Sequence, residues 1–426
     1  MEQTLLSSEG RWRHVKIDVN YIARVEGEAS VKFEIRDRKL VNLKLNIWEP
    51  PRFFEGFLVG RKFYEAPDIV SRICGICPVS HMTTSICAVE NALGVVASPE
   101  IKKIRDIMTL SQIAASHVIH LYMLTLPDYY GLAMLSEREK EMNSLLRLKE
   151  ALNNVTGAIG GRPLHPVAMV VGGFTKALER KELSKLIKGL EGVKKDAVET
   201  IKMFSELDYP VLKNDTEYLA LSGADGYAIN EGIIATSSGV KVEPENYHSF
   251  FSEKEVSYSN AKKTVLKGER SVMAGALARL NLKFDRLHPE AKKAAREVGF
   301  LASEKNPFSN IVAQAVEIAH CIWTCIDLLD TLTCKDTLLD VRVREGSGTS
   351  VTEAPRGLLY HHYELNRLGV IEKADIVTPT AYNFLNIEES LEKLVMQNID
   401  KPPEELSLLC EMLVRAYDPC FSCSVH

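Results

Sequence analysis

Two stretches decide how this chain reads: RICGICPVSH at 72–81 and DPCFSCSVH at 418–426. Each holds a C-x-x-C pair followed by a histidine, Cys74, Cys77 and His81 in the first, Cys420, Cys423 and His426 in the second. A zinc ribbon sets its pairs about 15 to 20 residues apart, whereas these stand at opposite ends of the chain. A thioredoxin-type motif needs one pair only, at a strand-to-helix junction. Four thiolates from both ends, each pair with its histidine, describe one soft-metal site that joins the ends. Nickel, zinc or an iron–sulfur cluster would each suit it. Chain ends fray, so a reactive motif placed there needs such an anchor.

Working outward, the 426 residues are enough for a large buried core. Lys+Arg 52 against Asp+Glu 57 leaves a net charge of -5, which offers no nucleic-acid footprint. The first twenty residues lack the basic start, apolar stretch and cleavage site of a secretory signal, so a cytoplasmic protein is expected. The most apolar run, IVAQAVEIAHCIWTCIDLLDTL from Ile311, carries Glu317, His320, Asp327 and Asp330. A lipid-facing span would rarely tolerate these, so it reads as a buried helix with no membrane span. The five cysteines outside the pairs, Cys87, Cys321, Cys325, Cys334 and Cys410, read as packed thiols.

The apolar alternation of VKIDVNYIARVEGEASVKFEIRDRKLVNLKLNI predicts β structure, with a hairpin turn at Arg36 to Lys39. From Ser98 the period becomes helical: Ser-Pro with Glu100 in the first turn predicts a helix running to Pro127. Further helices are expected over 135–155, 177–206, 287–300 and 307–335. The Gly- and Ser-rich stretch between them predicts a small α/β excursion over 208–285. The fold class is thus α+β, mainly α, and no internal repeat is visible.

The two cysteine stretches resemble the signature motifs of the large, catalytic subunit of nickel-iron hydrogenases, R-x-C-G-x-C-x-x-x-H and D-P-C-x-x-C-x-x-H, and match at every fixed position. The resemblance extends in order through RVEGEA (24–29), SHVIHLY (116–122), GGRPLHP (160–166), EAPRGLLYHH (353–362) and VTPTAYN (377–383). It implies a single large-subunit domain over 1–426. Within it the expected parts are an N-terminal β region (1–50), a helical core (98–206), the excursion (208–285), and a helical core with the C-terminal metal-binding segment (286–426).

It also implies a nickel-iron centre whose iron carries carbon monoxide and two cyanides. Cys74 and Cys420 would be terminal nickel thiolates, and Cys77 and Cys423 would bridge nickel to iron. Glu26 would relay protons beside a terminal cysteine. Arg356 and Thr380 would donate hydrogen bonds to the cyanides, with Asp418 either orienting Arg356 or capping the turn before Pro419. Glu55, the carbonyl of Ile376 and His426 would hold a magnesium or iron ion. His81, His117, His120 and His165 are candidate donors to the thiolates. At Glu28 the chain departs from many relatives, which puts a partner of the Glu26 region in doubt.

Ending at His426 resembles the form left once a maturation protease removes a C-terminal extension after nickel-insertion factors have acted. The chain looks most like the soluble, cytoplasmic, NADP-linked hydrogenases and sulfhydrogenases, a group that includes sulfur- or polysulfide-reducing enzymes. That implies a hetero-oligomer in which iron–sulfur clusters, FAD and NADP sit on partners: a small iron–sulfur subunit, a diaphorase-type flavin subunit and further iron–sulfur subunits. No G-x-G-x-x-G follows a predicted strand here. Deazaflavin-reducing and ferredoxin-linked hydrogenases are the nearest alternatives. A complex-I-like scaffold, a branch without the four cysteines, and a structural zinc protein are alternatives of another class.

Overall fold

The computed structural model describes residues 5–6, 12–131, 137–223, 226–335 and 337–426. Strands β1 (Leu5–Leu6), β2 (Trp12–Val19), β3 (Ala29–Arg36) and β4 (Lys39–Ile47) form an antiparallel sheet in chain order. The β3–β4 hairpin turns at Asp37 and Arg38, both with positive φ, where the sequence placed it. Along β3 one face is buried, Val31, Phe33 and Ile35, and the other carries Lys32, Glu34 and Arg36.

Helix α1 (Pro78–Leu93) starts on the first cysteine motif. Helix α2 (Pro99–Ile119) begins as predicted, with the Ser98 side chain accepting from the Ile101 N–H at 3.2 Å. It continues through a π-helical turn at His120–Thr125, an irregularity often found near functional groups. Helix α3 (Glu139–Gly160) overlaps the helix expected over 135–155 but starts later and runs past its end; 135–136 lie outside the described residues. The stretch 177–206 is two helices, α4 (Arg180–Gly192) and α5 (Lys194–Ser205), broken at Val193.

The excursion contains β5 (Glu217–Ser222), β6 (Ile233–Thr236), β7 (Lys241–Val242), the hairpin β8 (Phe251–Lys254) and β9 (Lys263–Leu266), and β10 (Val272–Ala274). Strand β10 pairs in parallel with β5, giving the sheet order β10-β5-β6-β7. Helices α6 (Ala276–Lys283), α7 (Pro289–Glu297) and α8 (Asn310–Asp330) follow. Helix α8 is the axis of the core and packs on α2, α4, α5, α6 and α7.

The stretch expected to be helical after 286 instead contains a three-stranded antiparallel sheet, β11 (Gly346–Ala354), β12 (Gly357–Leu365) and β13 (Ile371–Val377). Its residues from Gly348 to Tyr360 are buried without alternation, so no period of two marks them. This sheet lies directly on α1: a Cβ at Gly346 or Gly348 would come within 2.3 or 2.2 Å of the Ala92 or Ala88 carbonyl oxygen. Helices α9 (Pro379–Gln397) and α10 (Pro403–Ala416) complete the chain before the second cysteine motif.

Two segments, Pro99–Tyr130 and Pro307–Asp330, are long and apolar enough to cross a membrane, yet 83% and 72% of their most apolar windows are buried inside the protein. They are core helices, as the charges of the Ile311 run suggested.

Candidate metal centre

Three elements bring the cysteines together. Cys74 leaves a short turn (Ser71–Ile73) in extended conformation, and Cys77 is the N-cap of α1, with Pro78 fixing the first turn. Cys420 precedes the terminal turn Phe421–Ser424, which contains Cys423. All four are buried. The sulfurs of Cys74 and Cys420 lie 3.6 Å apart and those of Cys77 and Cys423 3.9 Å, while those of Cys420 and Cys423 are in direct contact. The ligating atoms of Cys74, Cys420 and Cys423 fall within 4.8 Å of one another, as do those of Cys77, His81 and Cys423.

The environment favours a thiolate at Cys74. The hydrogen bond with Cys77 is the largest influence holding its pKa below the usual thiol value; burial opposes it, and the Ile76 N–H donates to its sulfur at 3.3 Å. The same bond, with burial, pushes Cys77 well up. His81 is driven down to about 3 by burial, with His426 and Arg52 adding to the effect, so it is neutral, and its Nδ1 has no partner. Of the four candidate histidines, only His81 joins the sulfurs. His117 meets Glu317 at 2.9 Å, His120 meets Gln314 and the Arg415 carbonyl, and His165 lies by Ser71 and Arg72.

Glu26 reaches the cysteines through a backbone bridge to Cys420, the Phe421 N–H donating to the Glu26 carbonyl at 2.8 Å. Its carboxylate stands 2.9 Å from Cys420 Sγ and accepts from the Ser422 hydroxyl. Gly27 permits this approach: its φ is +84°, and a Cβ there would sit 2.6 Å from the Ser422 nitrogen.

Arg356 occupies the turn between β11 and β12. Its Nε donates to the Asp418 carbonyl at 2.7 Å and to Asp418 Oδ1 at 3.1 Å, and its Nη2 lies 2.9 Å from the same carboxylate. Asp418 therefore orients Arg356. Nη1 is buried with no partner, on a side chain close enough to Cys74 and Cys77 to feel their charge. Thr380, in the first turn of α9, accepts the Cys420 N–H at 2.9 Å, leaving its own hydroxyl hydrogen to point elsewhere.

A second convergence surrounds His426. Its Nδ1 faces the Cys423 carbonyl at 2.7 Å, and its Nε2 faces the Ile376 carbonyl at 2.9 Å and Glu55 Oε1 at 3.9 Å. Glu55 also accepts the Ile376 N–H at 3.0 Å. A neutral imidazole has one N–H; with it on Nδ1, toward the Cys423 carbonyl, Nε2 turns its lone pair to the oxygens of Ile376 and Glu55. That donor set fits a hard divalent cation.

Sequence reasoning missed Arg52 and His361. Arg52 donates to the carbonyls of Ile73 and Ser422 and its N–H to that of Val425, clamping the two cysteine segments together. His361 packs 5.7 Å from His81, its Nε2 unpartnered. Arg52 sits three residues before Glu55, and His361 inside EAPRGLLYHH, so of the two only His361 lay in a stretch already singled out.

The family model for nickel-dependent hydrogenases matches residues 52–146 and 242–426. The alpha subunit of sulfhydrogenase 1 from Pyrococcus furiosus is 37% identical over 422 residues, covering 97% of this chain and 98% of that protein. The chain belongs to the nickel-dependent hydrogenase family. The alpha subunit of sulfhydrogenase 2 from the same organism is 30% identical over 96% of this chain and 98% of its own length. Among solved structures, an NAD-reducing nickel-iron hydrogenase in its hydrogen-reduced state superposes with a TM-score of 0.86 at 26% identity, covering 97% of this chain and 99% of that one. The nickel-iron-selenium hydrogenase of Desulfomicrobium baculatum shares the fold, with a TM-score of 0.80 at 22% identity. This hydrogenase chain is accordingly the catalytic large subunit, an oxidoreductase acting on dihydrogen at a nickel-iron site with a cysteine ligand cluster. Its relatives are alpha subunits, so it works as one subunit of a larger enzyme.

Proposed function

We propose that Cys74 and Cys420 bind nickel alone, that Cys77 and Cys423 bridge nickel and iron, and that the iron carries carbon monoxide and two cyanides beside Arg356 and Thr380. The observation that carries this reading is the gathering of four buried sulfurs with the Glu26 carboxylate 2.9 Å from one of them. Soft sulfur suits nickel and its changes of oxidation state, and the unpartnered Arg356 Nη1 suits an anionic acceptor in a dry pocket. When bound, the centre supplies heterolytic cleavage of dihydrogen. Glu26 accepts the proton at Oε2 from the Cys420 sulfur, and the Ser422 hydroxyl fixes the other carboxylate oxygen. Glu55, the Ile376 carbonyl and His426 would hold Mg2+ or Fe2+, tying the second cysteine segment to Glu55 and Ile376.

Electrons leave through iron–sulfur clusters on a small subunit. The five remaining cysteines lack cluster spacing, and burial pushes several of their thiols up, Cys87 to about 11 and Cys410 to about 12. A run of exposed apolar side chains beside the first cysteine motif, Phe53, Phe57, Val59 and Tyr64, supports docking of that subunit here. The names of the relatives, sulfhydrogenase and NAD-reducing hydrogenase, support a pyridine nucleotide or a sulfur compound as acceptor, and with the sequence resemblance we read a cytoplasmic enzyme passing electrons through flavin and further iron–sulfur subunits to NADP.

Metal analysis of the native complex with Cys420→Ser tests the centre. The wild type is expected to carry nickel and iron in equal amounts with infrared bands of carbon monoxide and cyanide; the variant should lose nickel and all dihydrogen activation. Zinc alone in the wild type, or full nickel in the variant, defeats the assignment.

A further inference from the structure

The turn that presents Arg356 is gripped from behind by another arginine. Arg279, in α6 and fully buried, uses all five of its N–H groups. Its Nε and one Nη2 hydrogen go to the two oxygens of Glu317, each at 2.6 Å. One Nη1 hydrogen goes to Glu353 Oε2 at 3.0 Å. The remaining two go to backbone, Nη1 to the Ala354 carbonyl and Nη2 to the Pro355 carbonyl, both at 3.0 Å. Those are the two residues immediately before Arg356.

The acids are themselves fixed. Glu317, on α8, also accepts from His117 and from the Tyr227 hydroxyl, and Glu353 accepts the Leu221 N–H at 2.8 Å. The guanidinium plane is therefore set by α8 and β11 together, and it transmits their position to the Ala354 and Pro355 carbonyls. From the other side, Asn383 donates to the Arg356 carbonyl, and Gly275 passes so close that a Cβ there would lie 3.2 Å from that oxygen. Gly357, at φ +131°, would bring a Cβ within 2.6 Å of Ala274. The Arg356 backbone is thus packed on this side and held on the other by the Arg279 bonds to Ala354 and Pro355.

We propose that Arg279 is a positioning residue for the reaction: by holding the Ala354 and Pro355 carbonyls it sets where Arg356 Nη1 meets the anionic ligand on the iron. The inference rests on the reading that Arg356 donates to such a ligand. A guanidinium is required because one planar fork must span two carboxylates and two carbonyls; a lysine ammonium has three donors on a single atom and cannot. Freed of its grip, the turn relaxes and Arg356 Nη1 moves. A shift of about 1 Å at such a contact can cost roughly 100-fold in rate.

The test is infrared spectroscopy of the intact complex carrying Arg279→Lys, with Glu353→Gln as a milder second variant that removes a charge and leaves Glu317 in place. Nickel and iron content should match the wild type, the cyanide bands should shift and broaden, and kcat should fall roughly 10- to 100-fold. Glu353→Gln should move the same bands less. Cyanide bands at wild-type position and width in both loaded variants would overturn the inference while leaving the reading of the site intact. Absence of cyanide bands from the wild type would overturn that reading, and this inference with it.

Discussion

Two buried polar regions flank the β11–β12 turn, and they are built on opposite terms. In the cluster of Arg279, Glu317 and Glu353 the charged groups all have partners, with five donors on the arginine and at least two bonds to each acid, while beside them His117 Nδ1 lacks one. Burial alone would raise Glu317; Arg279 and His117 outweigh it and hold the carboxyl well below its usual range. Across the turn, around the cysteines, Arg356 Nη1, His81 Nδ1 and His361 Nε2 are buried with no partner. Leaving such groups unmet costs about 1–3 kcal/mol each, so folded proteins concentrate them where something binds. The satisfied cluster is a brace and the unsatisfied one a receptor, and a single backbone turn connects them.

The sharpest way to break this comparison is at Glu26, on the receptor side. Glu26→Gln keeps the shape and the bond from Ser422 but removes the titratable site. Turnover and hydrogen–deuterium exchange with water should fall by two or more orders of magnitude, in the range ascribed to a positioned acid–base group. The carbon monoxide and cyanide bands should stay near their native positions. Wild-type exchange with the bands intact would send the protons by another route, through Glu28 or a histidine.

On the brace side the largest effect belongs to Glu317. Glu317→Gln leaves a buried guanidinium facing one carboxylate instead of two, and it should destabilise the chain by roughly 3–5 kcal/mol, the cost of removing one partner from a buried ion pair. Denaturant unfolding of wild type and variant measures this. A loss no larger than that of a surface substitution would mean the cluster braces nothing.

The two sides also differ in how far the sequence revealed them. Cys74, Cys77, Cys420 and Cys423 announce themselves by spacing, and the Ser98 cap and the Arg36–Lys39 hairpin by local chemistry, because each is a short-range pattern. The brace joins His117, Arg279, Glu317 and Glu353, four residues on four separate elements, and nothing local marks them as partners. Glu317 was visible only as an acid out of place in an apolar run. The β11–β13 sheet escaped for a related reason: from Gly348 to Tyr360 it is buried on both faces and lacks the alternation that exposed the first sheet.

Lys283 gives the smallest test and the only one read from pH. One turn beyond Arg279 on α6, it donates to the Ala228 carbonyl at 2.7 Å, lies 3.7 Å from Glu353 and sits over the Tyr227 ring. Burial drives its pKa down from 10.5 to about 8, with Glu353 opposing the shift and Arg279 adding to it. The sign follows from linkage. Between pH 8 and 10.5 the unfolded chain holds a proton that the folded chain has released, so this residue's contribution to stability rises with pH across that window. Below it both states are charged and the folded protein carries the full cost of burying the ammonium. In Lys283→Met that dependence disappears. The stability of the wild type relative to the variant should therefore climb by roughly 3 kcal/mol as pH is raised through the window, and comparing the two cancels the titration of every other group. Chemical unfolding at a series of pH values measures the difference. A flat difference would mean that Glu353 holds Lys283 charged throughout, and the brace would then be a four-charge network in place of Arg279 between two acids.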